Sequence, residues 1–304
     1  MMKKSIALSA FLALFGLMTA IGQPVHLWRD SSISVYQNSI RLPNAWAGGM
    51  NTGNFAIIDL DGDNRMDLVQ YESPSFRINP FINQMVAGKS SYKYAPEYRS
   101  RFPEGLEGWI RTFDYDFDGD MDLFSYYNGG ISCYRNNYNS SSGLSFTLIT
   151  NSIYSTYGAG PATNIYVSRV NAPALSDLDN DGDMDVLNFS ISGSWVEQHK
   201  NVAIDSFGVA SQMKFYNIPV CWGYFVLSNN HNDAILPPVL PTCPLLPATP
   251  FRIEHPVSDR PGKGPHALVM AKSTRHAGSS LEVYDQGGDG DKDVLNGDIL
   301  SPNL

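Results

Sequence analysis

Short apolar runs broken by acidic turns recur along the chain. Asn54–Ile58, Trp109–Phe113 and Leu281–Tyr284 each run into an aspartate-rich stretch, and Leu68–Tyr71, Leu123–Tyr127 and Val186–Phe189 lead out of one. The runs are short, and they are rich in β-branched and aromatic residues. That pattern predicts strands rather than helices. After the second stretch, Asn128-Gly129-Gly130 turns the chain and Ile131–Arg135 returns, a strong hairpin signal. The third copy repeats the arrangement with a turn near Gly193 and a returning run Trp195–His199. The predicted unit is strand, acidic loop, strand, hairpin, and the predicted fold class is all-β.

The acidic stretches share one spacing. Asp177, Asp179, Asp181 and Asp185 stand at positions 1, 3, 5 and 9 of a loop with Gly182 at position 6. Asp114, Asp116, Asp118 and Asp122 repeat it with Gly119; Asp59, Asp61, Asp63 and Asp67 repeat it with Asn64. A fourth copy keeps Asp285, Asp289 and Asp293 but has Gly287 at position 3. Alternating carboxylates on a tight loop converge into an oxygen cage for a hard cation, and calcium is the usual occupant. Position 6 must reverse the chain, which glycine and, next best, asparagine allow. The seventh positions, Arg65, Asp120, Asp183 and Asp291, are expected to offer backbone carbonyls, and the ninth carboxylate to close the cage. Three complete sites and one degraded site are therefore expected. Carboxylates crowded this closely repel one another, which argues for a metal counter-ion. An EF-hand is excluded, because its twelfth position needs glutamate and Gln70, Ser125, Asn188 and Asn296 stand there instead.

The loops begin at residues 59, 114, 177 and 285, so the first two intervals are about 55 and 63 residues. Repeats of this length suit four-stranded propeller blades. The last interval is about twice as long, so a unit without an acidic loop is expected within it.

Composition narrows the class. The formal charge is −9, and the surplus acid lies in the loops, which argues against a nucleic-acid partner. Residues 1–22 read as a secretory signal peptide: Lys3 and Lys4, the apolar Ile6–Met18, then Ala20-Ile21-Gly22. Residues 23–304 form the repeat domain. No later stretch is apolar and long enough to span a membrane as a helix, so a secreted or cell-surface protein is expected. Export permits a disulfide between Cys221 and Cys243, and Cys133 reads as a buried thiol. The six histidines form no metal spacing, and no nucleophile elbow or phosphate loop occurs. No catalytic residues are predicted.

The loops, with flanks such as Ala174-Leu175-Ser176-Asp177 and Met121-Asp122-Leu123-Phe124, resemble FG-GAP/VCBS repeats, the calcium-bearing blades of integrin-α-type β-propellers. Asn44–Asn51, Tyr92–Pro96, Cys221–Gly223 and His276–Ser280 are similar to a secreted Bacteroidetes subgroup whose members often end in a type IX sorting domain. The resemblance implies a seven-bladed propeller, calcium on the aspartates named above, and a monomeric adhesion scaffold for an extracellular protein or glycan. Some calcium propellers are polysaccharide lyases or hydrolases, which is the alternative. The chain ends about eleven residues after the fourth loop, at Leu304, and reads as a C-terminally truncated copy with an incomplete last blade.

Overall fold

The structure is a computed structural model that describes residues 33–298, apart from 192, 194, 220, 228–233 and 236–278. The signal-peptide segment, Cys243, the proline-rich Leu236–Pro250 and most of the interval expected to hold a loop-free unit lie outside the described residues. The chain divides into two units, Met1–Trp46 and Ala47–Leu304. In the first, β1 (Tyr36–Gln37) and β2 (Ile40–Arg41) form a small hairpin.

The second unit is a series of antiparallel sheets. β3 (Gly53–Ile58), β4 (Asp67–Glu72), β5 (Arg77–Asn83) and β6 (Tyr92–Tyr94) form a four-stranded meander. So do β7 (Glu107–Phe113), β8 (Asp122–Tyr127), β9 (Gly130–Asn136) and β10 (Phe146–Thr150). A hairpin of β11 (Tyr154–Thr156) and β12 (Ala162–Asn164) follows. Next comes a third meander of β13 (Ala174–Ser176), β14 (Asp185–Phe189), β15 (Val196–Asn201) and β16 (Phe215–Ile218). β11 adds to its outer edge, parallel to β16. A short helix, α1 (Ala203–Phe207), links β15 to β16. β17 (Val226–Leu227) pairs with β18 (Ala234–Ile235), and β19 (Ser279–Tyr284) with β20 (Asp293–Asp298). Each acidic stretch joins the first two strands of its sheet, as the hydrophobic pattern predicts.

The sheets pack face to face. Leu123 and Phe124 are neighbours on β8 and point to opposite faces, as the two-residue period of a strand demands. Leu123 packs with Ile58, Val69 and Tyr71 of the first sheet, and Phe124 packs with Met184, Val186 and Phe215 of the third. On β14, Leu187 and Phe189 face Leu281 and Val283 of the β19–β20 pair. Covered on both faces, β14 is buried throughout. β3 alternates instead: Ala56 and Ile58 are buried, while Phe55 and Ile57 remain about half exposed. The first strand of the first sheet is therefore covered on one face among the described residues, while its neighbour β4 is buried at nearly every position.

The first strands of the sheets are tied side by side. Thr112 Oγ1 donates to the Ile57 carbonyl (2.8 Å), and Ile110 N–H donates to Asn54 Oδ1 (2.9 Å). Arg111 reaches two further segments, donating from Nε to the Pro173 carbonyl (2.9 Å) and from Nη2 to the Leu281 carbonyl (3.0 Å). Sheets stacked through their faces and linked through their first strands are blade-like in arrangement. No helix among the described residues is long and apolar enough to cross a membrane.

Candidate metal centres in the acidic loops

In each loop the first aspartate caps the turn. Asp59 accepts backbone N–H bonds from Gly62, Asp63 and Asn64; Asp114 from Asp118 and Gly119; Asp177 from Asp181 and Gly182. The expected chain reversal at position 6 is present, with φ of 62° at Asn64, 97° at Gly119 and 91° at Gly182. A second left-handed residue stands at position 4 of all four loops: Gly62, Phe117, Asn180 and Gly288. Glycine and asparagine adopt that conformation readily, but Phe117 carries a cost of about 1–2 kcal/mol.

The ninth aspartate has a role that the spacing alone did not reveal. Asp67 accepts from Leu60 N–H (2.9 Å) at the loop start and from Asn83 N–H (2.7 Å) on the third strand. Asp122 does the same with Tyr115 (3.1 Å) and Asn136 (2.8 Å), and Asp185 with Leu178 (3.2 Å) and Asn201 (2.7 Å). Each is a strut that fastens the loop to the body of its sheet. Burial pushes these carboxyls up, Asp67 to about 6 and Asp122 and Asp185 to about 7, although their backbone hydrogen bonds pull the other way.

The sequence-predicted residues come together in three groups. Asp59, Asp61 and Asp67 each offer a carboxylate oxygen, and these oxygens lie within 4.8 Å of one another. Asp114, Asp116 and Asp122 form the second group, and Asp177, Asp179 and Asp181 the third. A calcium–oxygen bond is about 2.4 Å, so ligands on opposite sides of one ion are about 4.8 Å apart. All three groups thus fit a single coordination sphere. The donor set is right for a hard cation, and Asp116 supplies a further sign. Its side chain is more than nine-tenths buried, yet its Oδ1 has no hydrogen-bond partner.

The remaining predicted positions are placed differently. Asp63 and Asp118 lie outside the groups of three; Asp63 is ion-paired with Arg65, and Asp118 with Arg135 at 2.9 Å. Asp185 stands outside the third group, where Asp181 takes part instead. At position 7, the N–H groups of Arg65, Asp120 and Asp183 donate to the position 5 carboxylates. Asp183 is fully buried, and its Oδ2 accepts from Ile204 N–H at 3.0 Å, holding the start of α1. In the fourth loop, Asp285 accepts from Gly288, Asp289 and Gly290, Asp289 from Asp291, and Asp293 from Gln286. The backbone turn is kept, but Asp285, Asp289, Asp291 and Asp293 gather no carboxylate group of the kind seen in the other loops, in keeping with Gly287 at position 3.

Basic side chains also enter the cages, which the sequence reading did not anticipate. Arg135 Nε lies 3.0 Å from Asp116 Oδ2. Lys200 Nζ lies 2.5 Å from Asp179, 3.3 Å from Asp181 and 3.2 Å from Asp205. Hydrogen bonding to Asp179, followed by the other carboxylates around it, holds the Lys200 ammonium well above its ordinary range. A signal was present: both residues directly precede the asparagine whose N–H meets the ninth aspartate.

One further polar cluster was invisible in sequence. His199 is fully buried, with Nδ1 2.8 Å from Ser155 Oγ and Nε2 3.8 Å from Glu197. Burial alone lowers the imidazole to about 3, so it is neutral. Ser155 is equally buried. The cluster fastens the β11–β12 hairpin to β15. Cys133 is a buried free thiol, as expected. Cys221 is disulfide-bonded; Cys243, its expected partner, lies outside the described residues.

A protein-family model described as an FG-GAP-like repeat matches residues 114–188, the second and third loops with the strands between them. No curated protein matches the chain, and neither does any solved structure. The match supports the repeat family and a propeller-like all-β architecture.

Proposed function

We propose that the chain is a calcium-stabilised propeller scaffold that presents its blade loops to an extracellular protein or glycan. The supporting observation is the triple recurrence of three aspartates at one coordination distance. Calcium would be held by Asp59, Asp61 and Asp67, by Asp114, Asp116 and Asp122, and by Asp177, Asp179 and Asp181, with backbone carbonyls of the loops as further ligands. Its binding energy would add to folding energy, since the cage forms only when the sheet does. The half-exposed Phe55 and Ile57 offer a face on which a further blade would pack, in keeping with a closed ring. Extracellular modules commonly hold calcium at about 10⁻⁴–10⁻³ M, so the sites would fill after export, which the leader-like residues 1–22 would direct. FG-GAP-like repeats serve as binding scaffolds, and both Ser155 and His199 are fully buried, which supports the scaffold reading ahead of polysaccharide cleavage.

Calorimetric titration of the purified chain with calcium chloride tests the first half. Saturable uptake with a rise in Tm of several degrees is expected, and no uptake at millimolar calcium overturns it. A glycan array read with calcium and with EDTA tests the second half. Calcium-dependent binding without cleavage products is expected; new reducing ends or unsaturated products would select the enzyme instead.

A further inference from the structure

We propose that Arg135 and Lys200 are built-in competitors of the metal, so that calcium enters the second and third loops by exchange for a protein cation and enters the first without exchange. The inference rests on the calcium reading above and concerns how differently the three loops bind.

Strand register carries the argument. In all three sheets the third strand brings one backbone N–H to the ninth aspartate: Asn83 on β5, Asn136 on β9 and Asn201 on β15. The residue just before that asparagine is therefore equivalent in each sheet. On β9 it is Arg135 and on β15 Lys200, and both reach the loop carboxylates. On β5 it is Ile82, which packs into the core between the first two sheets. The equivalent residue is thus a cation twice and an alkyl group once.

The contacts fall on the oxygens that matter. Lys200 touches Asp179 and Asp181, two of the three carboxylates of its group. Asp181 Oδ2 is buried and has no hydrogen-bond partner, only this ion pair. Arg135 touches Asp116, a member of the second group. In the first loop Arg65 pairs with Asp63, which lies outside its group, and Asp59, Asp61 and Asp67 make no ion pair among the described residues.

An ammonium and a divalent ion cannot share the same two carboxylates without strong repulsion. Calcium must therefore displace Lys200, and the side chain has somewhere to go. Asp205, largely exposed on α1, already lies 3.2 Å from Nζ. Arg135 has a similar retreat, since Asp118 accepts from its Nη2 at 2.9 Å and is not in the group of three. The second and third loops are thus partly compensated before calcium arrives, by one protein cation each, and binding there is weakened by the contacts that must break.

The test is calcium titration of the full chain by calorimetry, with Tm measured in EDTA and in calcium. Lys200→Met is expected to tighten one site about tenfold or more, to lower Tm in EDTA and to enlarge the gain on adding calcium. Lys200→Arg should keep wild-type affinity. Ile82→Lys, which installs the competitor in the first sheet, should weaken one site by a similar factor. If Lys200→Met leaves every site unchanged or weakens one while the wild type binds, Lys200 supports the cage and the exchange is wrong. If neither the wild type nor any variant takes up calcium, the calcium reading fails and the exchange falls with it.

Discussion

The loops at 59–67 and 177–185 share one spacing and one fastening, yet they neutralise their charge differently. Both cap the turn with the first aspartate and fasten the ninth to the third strand. In the first, three carboxylates face one another without an ion pair among the described residues; in the third, Lys200 sits among them. Crowded aspartates therefore do not by themselves require a metal, because a neighbouring strand can supply the counter-charge. What they require is compensation, and the source of compensation decides how strongly an external ion is wanted.

The largest effects should come from what the two loops share. Asp67→Ala leaves two buried N–H groups without acceptors, and Asp185→Ala one buried and one partly buried. Each should cost about 2–5 kcal/mol even in EDTA, measured by denaturant unfolding. A small loss at either position would show that the strut is redundant there and would break the likeness.

The next effect separates the loops. In EDTA, Asp61→Ala should leave stability unchanged or raise it, because burial and the neighbouring Asp63 and Asp59 disfavour that charge. Asp179→Ala should instead cost up to about 1 kcal/mol by stripping a partner from Lys200. In millimolar calcium both variants should melt several degrees below wild type. Identical behaviour of the two variants in EDTA would erase the distinction.

pH offers a third handle. The buried carboxyls of Asp122 and Asp185 titrate near 7 in the fold, against 3.8 ordinarily, with burial as the cause. The folded chain thus binds protons that the unfolded chain has released. This contribution to stability is complete below about pH 4 and is lost as pH rises towards 7. In EDTA, Asp185→Asn should flatten that decline relative to wild type across pH 4–7. Asp67, near 6, should lose its contribution earlier in the rise. Equal slopes for wild type and Asp185→Asn would refute the assignment. His199 acts oppositely: its depressed pKa of about 3 gives stability that is present above pH 6.5 and lost on acidification.

The smallest effect lies in the second loop. Phe117 occupies a left-handed position that glycine fills at 62 and asparagine at 180. Phe117→Gly should stabilise the chain by up to about 1 kcal/mol, less the loss of its edge contact with Phe113. Thermal unfolding would show a Tm rise of a few degrees at most, and a fall would mean that the ring contact outweighs the strain.

Much of the fold was legible because its signals are local. Short apolar runs rich in β-branched and aromatic residues marked β3, β4, β7 and β8, and Asn128-Gly129 marked the hairpin, which closes with Tyr127 opposite Gly130. The recurrence of Asp-x-Asp-x-Asp marked the cages. The strut at Asp185 was read only as a ligand because its second partner, Asn201, is sixteen residues away and joins it only through β14–β15 register. The β11–β12 hairpin on the third sheet was missed for a related reason: the parallel pairing of Ser155 with Phe215 leaves no trace in local pattern.

The sequence alone determined where the chain turns and where acid accumulates, since φ preference and side-chain charge belong to single residues and their spacing. Only the tertiary structure decided which carboxylates meet a cation of the chain and which are left to a metal. That choice depends on strand register, which places Lys200 and Arg135 against the third and second loops and, at the equivalent position of the first sheet, Ile82 in the core. Charges about 3 Å apart in space but some twenty residues apart in sequence become partners only when the sheet has formed.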